Sequence, residues 1–143
     1  MKNLILLLML AVGMVSYAGN PTKKETSNSK PKDRIEVIYF YGKQRCPTCL
    51  AIEKNTKELL QTSFANELKD GSVVFRQIDI SLDENEQIAD KYEVSWSSLF
   101  FVEYKNGKEQ RENLTEYAFT NARNSPDEFK AVLKNKLEQM LKD

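Results

Sequence analysis

Past residue 34 the apolar positions change period several times, and each change marks an element. "IEVIYFY" (35–41) is nearly continuous in apolar character and rich in β-branched and aromatic side chains, which predicts a strand buried on both faces. Ile52, Thr56, Leu59, Leu60, Phe64 and Leu68 then recur at three- and four-residue intervals, the mark of one helix face laid on a sheet. "SVVFRQIDI" (72–80) predicts a second strand, "ENEQIADKYEV" (84–94) a short helix and "LFFVEY" (99–104) a third strand. Asn106-Gly107 favours a tight turn into a polar fourth strand near 109–113. Ser125 is placed to cap a last helix, with Pro126 in its first position and Glu128 completing a capping box. Its inner face is Phe129, Val132, Leu133, Leu137, Met140 and Leu141. Before it, "LTEYAFTNARNSP" (114–126) predicts a long connection or an extra short helix, with Tyr117 and Phe119 most simply in the core and partner docking as the alternative. The order βαβαββα implies an α/β sandwich around one mixed sheet.

The first 34 residues follow neither period. Residues 1–18 have a basic start at Lys2, an apolar run from Leu4 to about Val15 and small residues at Ser16 and Ala18, the composition of a secretory signal peptide cut after Ala18. The alternative is an uncleaved anchor, but the run is short for a spanning helix, so no stable membrane span is expected after cleavage. Residues 19–34 lack any large apolar side chain and predict a flexible polar leader. The folded domain is then 35–143, one ordinary domain with enough chain to bury a core unaided. An exported protein is expected, periplasmic or extracellular, and its cysteines have to be read against an oxidising compartment. The 21 basic and 21 acidic residues balance, with no single-sign block that would suggest a nucleic-acid partner.

The chain has two cysteines, both in "YGKQRCPTCL" between the first strand and the first helix. They can be a structural staple, a metal pair or a redox couple. A disulfide closing so small a ring removes little unfolded-state entropy, roughly 2 kcal/mol. A zinc or copper site lacks histidine, which is absent from the chain, and would need carboxylates or a second copy to complete its ligands; no metal ligand set is assigned. The same absence excludes a Cys–His or Ser–His nucleophile. For redox exchange the placement is favourable. Pro47 suits the first turn of a helix, which puts Cys46 at the N-terminus, where unpaired N–H groups and the positive dipole end favour a thiolate. Lys43 and Arg45 add positive charge upstream, so the Cys46 pKa is expected to fall. Cys49, across Thr48 and one turn deeper, is placed to resolve a mixed disulfide formed at Cys46.

With these elements in place the chain from about Ile35 to Leu141 resembles the thioredoxin-like superfamily: strand, CxxC at a helix start, strand, helix, strand, hairpin, last helix. Tyr92 and Val94 fall where that superfamily has Y-G-I or Y-G-V, and Lys105-Asn106-Gly107 matches its hairpin. CPTC is more similar to the C-P-x-C of glutaredoxins than to the C-G-P-C of thioredoxin. More narrowly, "CPTCLAIE", "SWSSLF" and "LTEYAFTNARNSP" resemble a small group of secreted proteins described as nitrophenyl compound nitroreductase subunits (ArsF-type). The resemblance implies a three-layer α/β sandwich, a mixed central sheet of about four strands with helices on both faces. It implies a thiol–disulfide oxidoreductase with no cofactor beyond the Cys46–Cys49 disulfide, acting on a protein or small-molecule thiol or disulfide partner. The alternative is a non-enzymatic thioredoxin-like subunit or a CxxC carrier of copper or zinc. Two departures stand out. Where the family has a cis-proline facing the cysteines, this chain has Trp96, Ser97 and Ser98, and a trans backbone is expected there. The serine hydroxyls are candidates to donate to the Cys46 thiolate or to serve turn polarity alone, and Trp96 is expected to pack more readily than to line a groove. Where thioredoxins carry a buried aspartate before the motif, Val37 to Tyr41 holds no carboxylate and Glu36 is expected to lie too far away.

Overall fold

The central strand decides the architecture. In the computed structural model, which describes residues 32–143, β1 (Arg34–Tyr41) is buried at six consecutive positions, Ile35 to Phe40. A strand with no solvent-facing side needs neighbours at both edges and cover on both faces. Its edges are taken by β2 (Val73–Asp79), parallel, and β3 (Ser98–Lys105), antiparallel; β4 (Lys108–Asn113) pairs antiparallel with β3. The resulting order is β2-β1-β3-β4, a mixed four-stranded sheet. The expected signal peptide, residues 1–18, and nearly all of the 19–34 leader lie outside the described residues.

Alternation along β1 sends successive side chains to opposite faces. Ile35, Val37 and Tyr39 enter the larger core with Leu99 and Phe101, against α1 (Pro47–Ser63), α4 (Thr115–Asn121) and α5 (Pro126–Lys142). Ile38 and Phe40 enter a smaller core with Ile78, Tyr92, Phe100 and Val102. That face is covered by α3 (Glu86–Lys91), which follows a 3-10 turn at Asp83–Asn85 and whose partly buried Ile88 packs there. Phe40, Tyr92 and Phe100 meet edge-on or tilted, with centroids 5.2–5.8 Å apart, the geometry in which ring edges face ring faces. The result is the expected three-layer α/β sandwich with helices on both sides of one sheet.

Several local expectations change. The long apolar stripe from Ile52 to Leu68 is two helices: the backbone leaves helical geometry at Phe64 (φ −131°, ψ 30°), and α2 (Ala65–Asp70) follows. Phe64 remains buried at the break. At the head of α5, Ser125 and Pro126 take the expected cap and first positions, but no side-chain cap bond forms. The Ser125 N–H already donates to the Asn121 carbonyl at 2.8 Å, which leaves Glu128 nothing to reach back to. The hairpin turn has positive φ at both Asn106 (52°) and Gly107 (76°), as the tight turn between twisted strands requires.

The segment 114–126, ambiguous in sequence, forms α4, and three contacts fix it. The Leu114 N–H donates to the Leu99 carbonyl at 2.8 Å. The Thr115 hydroxyl accepts the Leu99 N–H at 3.1 Å. At its far end, buried Asn55 of α1 donates to the Ala122 carbonyl at 2.7 Å. Substituting Asn55→Ala strips a buried carbonyl of its partner and is expected to cost about 1–3 kcal/mol, read as a lower urea midpoint with unchanged slope.

Candidate functional site

The first turn of α1 carries both sulfurs. Pro47, with no N–H to satisfy and φ already set, occupies the first helical position, so Cys46 becomes the N-cap, extended at φ −72°, ψ 159°. Its Sγ accepts the Cys49 N–H at 3.0 Å, the position a serine or aspartate oxygen holds in ordinary caps. Its carbonyl accepts the Leu50 N–H at 3.0 Å. Cys46 and Cys49 are joined as a disulfide, with Cα atoms 5.0 Å apart. Their environments differ: Cys46 is exposed and Cys49 is 6% exposed, with Thr48 half-buried between them. An incoming sulfur therefore has access to Cys46.

The turn is anchored from below. Tyr39, fully buried on β1, donates its hydroxyl to the Cys49 carbonyl at 2.8 Å, which ties the deeper cysteine to the central strand. Tyr41 stacks on Tyr39 with centroids 6.2 Å apart, and the Arg45 guanidinium lies 4.4 Å over the Tyr41 ring, a cation–π arrangement. Arg45 also pairs with Glu53, which accepts from Gln77 as well. Part of the positive charge expected beside Cys46 is thus turned toward Glu53, one helical turn along from Cys49. Lys43 is exposed, and together with Arg45 it acts on Asp79. The hydroxyl and N–H of Ser81 hold the Asp79 carboxyl below the usual carboxylate range, and the two cations add smaller contributions in the same direction.

Trp96 and Ser97 border a cavity with Cys49, and the peptide bonds of Trp96, Ser97 and Ser98 are trans, as throughout the described residues. The Ser98 hydroxyl donates to the Trp96 carbonyl at 3.1 Å, which is turn polarity rather than sulfur ligation. Ser97 is buried and shares with Cys49 the wall of a cavity of about 420 Å³, bounded also by Trp96, Phe119, Gly42 and Gln44. Trp96 does not pack as expected: it is 69% exposed. Phe119, expected in the core, is also exposed, whereas Tyr117 is half-buried and stacks on Phe129 with centroids 6.1 Å apart. Glu36 is buried, but its strand position turns it to the opposite face of the sheet from α1, where Arg34 (2.6 Å) and Arg76 (3.1 Å) hold it; it belongs to no part of the site.

Sequence reasoning did not single out Glu53, and it favoured the core for Phe119. For Glu53 the available signal was its spacing of four from Cys49; for Phe119 it was an aromatic four residues past the turn that begins α4. Among the described residues there is no group of three or more His, Cys, Asp or Glu side chains arranged to hold a metal ion. No helix among them is long and apolar enough to cross a membrane.

No family model matches the chain, and no curated protein matches it. Among solved structures it is similar to a thioredoxin from Thermus thermophilus, at 19% identity over 70% of this chain and 74% of that one, with a TM-score of 0.44. It is similar to the Trx4 domain of ERdj5, at 19% identity over 74% and 82%, with a TM-score of 0.47. A cysteine-to-serine variant of Entamoeba histolytica thioredoxin gives 23% identity over 78% and 82%, with a TM-score of 0.41. At identities this low, the strand order β2-β1-β3-β4 and the CxxC pair at the head of the helix after β1 carry the assignment, and they make this a thioredoxin-like fold.

Proposed function

We propose that this protein is an exported thiol–disulfide oxidoreductase in which Cys46 is the exchanging sulfur and Cys49 the resolving one. The observation that carries this reading is the inequality of the two sulfurs: an exposed Cys46 capping α1, bonded to a buried Cys49 one turn deeper. A staple has no use for that difference, whereas a two-step exchange depends on it.

The steps balance as follows. In the reduced protein the Cys46 thiolate attacks one sulfur of a partner disulfide; a Cys46–partner bond forms, and the partner's other sulfur leaves as a thiolate that takes up a proton. Cys49, once deprotonated, attacks the Cys46 sulfur, closes the internal disulfide and releases the second partner thiolate. The partner gains two electrons and the protein loses them. Run backwards, a partner dithiol opens the Cys46–Cys49 bond and leaves oxidised. In either direction negative charge rests on Cys46 Sγ, where the Cys49 N–H and the helix dipole meet it. Glu36, the one carboxylate on β1, lies on the opposite face of the sheet and is held by Arg34 and Arg76, so the Cys49 proton has to leave through the cavity that Cys49 lines. The export signal in residues 1–18 supports an oxidising compartment as the place of action.

Two measurements test this. Alkylation of the fully reduced protein should show Cys46 reacting with an apparent pKa below the ordinary cysteine value, and Cys49 reacting far more slowly. An ordinary value at Cys46 with no exchange against glutathione would sink the proposal. Separately, a Cys49→Ser variant expressed in the native compartment should accumulate mixed disulfides through Cys46 that a Cys46→Ser, Cys49→Ser control lacks. An empty trap, or stoichiometric uptake of Cu(I) or Zn(II) by the reduced protein without disulfide turnover, would favour a non-enzymatic subunit or a metal carrier instead.

A further inference from the structure

The cavity beside Cys49 adjoins a larger one of about 930 Å³, and Ser95, Trp96 and Phe119 belong to the walls of both. The second cavity is lined as well by Glu93, Asn113, Thr115 and Glu116, none of which borders the first. Both glutamates are exposed, neither is ion-paired among the described residues, and no lysine or arginine lines either cavity. The two cavities thus form one groove with shared aromatic walls, bordered by Cys49 in its first part and by uncompensated negative charge in its second. Trp96 is 69% exposed on a loop whose neighbours Ser97 and Ser98 are buried, so its ring is held out by a fixed backbone. Glu93 adds a second peculiarity: its φ is +53°, a conformation that favours glycine, where the thioredoxin-like pattern has glycine between Tyr92 and Val94.

From these features we infer that the groove docks an extended polypeptide segment of the exchange partner, one that carries a lysine or arginine near its cysteine. The apolar part of that segment lies against Trp96 and Phe119, where the cationic side chain's stem can also cover a ring face. Its charge reaches Glu93 and Glu116, which attract cations and repel acidic segments. The docked chain is the one whose sulfur reacts at Cys46, so the groove has this role only if exchange occurs there.

The test uses the reduced mature protein and three disulfide probes: a cysteine peptide flanked by lysines, the same peptide flanked by glutamates, each as a mixed disulfide with one small thiol, and neutral 2-hydroxyethyl disulfide. Trp96 is the only tryptophan in the chain, so its fluorescence reports the reaction directly. At low ionic strength the lysine peptide should react about tenfold faster than the glutamate peptide, and the ratio should shrink as salt is added. In a Glu93→Gln, Glu116→Gln variant the ratio should fall to about threefold or less. Equal rates for the two peptides, or a ratio untouched by the double substitution, would overturn the docking inference while reaction of 2-hydroxyethyl disulfide leaves the exchange reading standing. Failure of all three probes to react would overturn both.

Discussion

The hydrogen bond from Tyr39 to the Cys49 carbonyl joins the two parts of the molecule on which everything else depends. Tyr39 sits in the middle of a strand with no exposed face, and its ring position is fixed by the core on that side. Its hydroxyl would be an expensive buried group without a partner, and the first turn of α1 supplies one. Held there, α1 can begin only where it does. Pro47 sets the first helical residue, Cys46 is left outside as the cap, and Cys49 is pressed against the sheet. The chemical difference between two identical side chains follows from that docking.

Much of this arrangement was readable in advance, because it depends on local rules. Continuous apolar character at 35–41 identified the central strand, and the proline between the cysteines placed the helix start to the residue. The features that were not readable depend on competition between distant groups. Helical periodicity passes through Phe64 unbroken, since a buried aromatic satisfies it whether the backbone continues or bends. The capping box at Ser125 fails because a carbonyl four residues back takes the N–H first, and α4 owes its place to Leu99 and Asn55, residues 16 and 67 positions away. Trp96 is the sharpest case. A lone tryptophan in an apolar sequence context usually packs, but here the buried serines after it use up the interior positions and leave the ring outside.

The charges near the disulfide show a similar redirection. Sequence places Lys43 and Arg45 just before Cys46, and proximity along the chain suggests that both act on the sulfur. In three dimensions Arg45 is held between the Tyr41 ring and Glu53, and Lys43 stands near Asp79. At Cys46 itself the backbone contributes an amide aimed at the sulfur and the partial charge of the helix end. A contribution from peptide dipoles persists when side chains exchange partners.

The edge strand β4 has a consequence outside the site. Open sheet borders invite a second molecule to continue the hydrogen-bond ladder, and sequences that leave such borders apolar tend to precipitate. Here the border reads KEQREN, with Lys108, Glu109, Arg111 and Glu112 interleaving opposite signs along it, and Glu109 and Arg111 fastened to each other and to Lys91. Any copy approaching that margin would have to strip water from four ions. That border of the sheet therefore carries its own safeguard against intermolecular stacking and fibril growth.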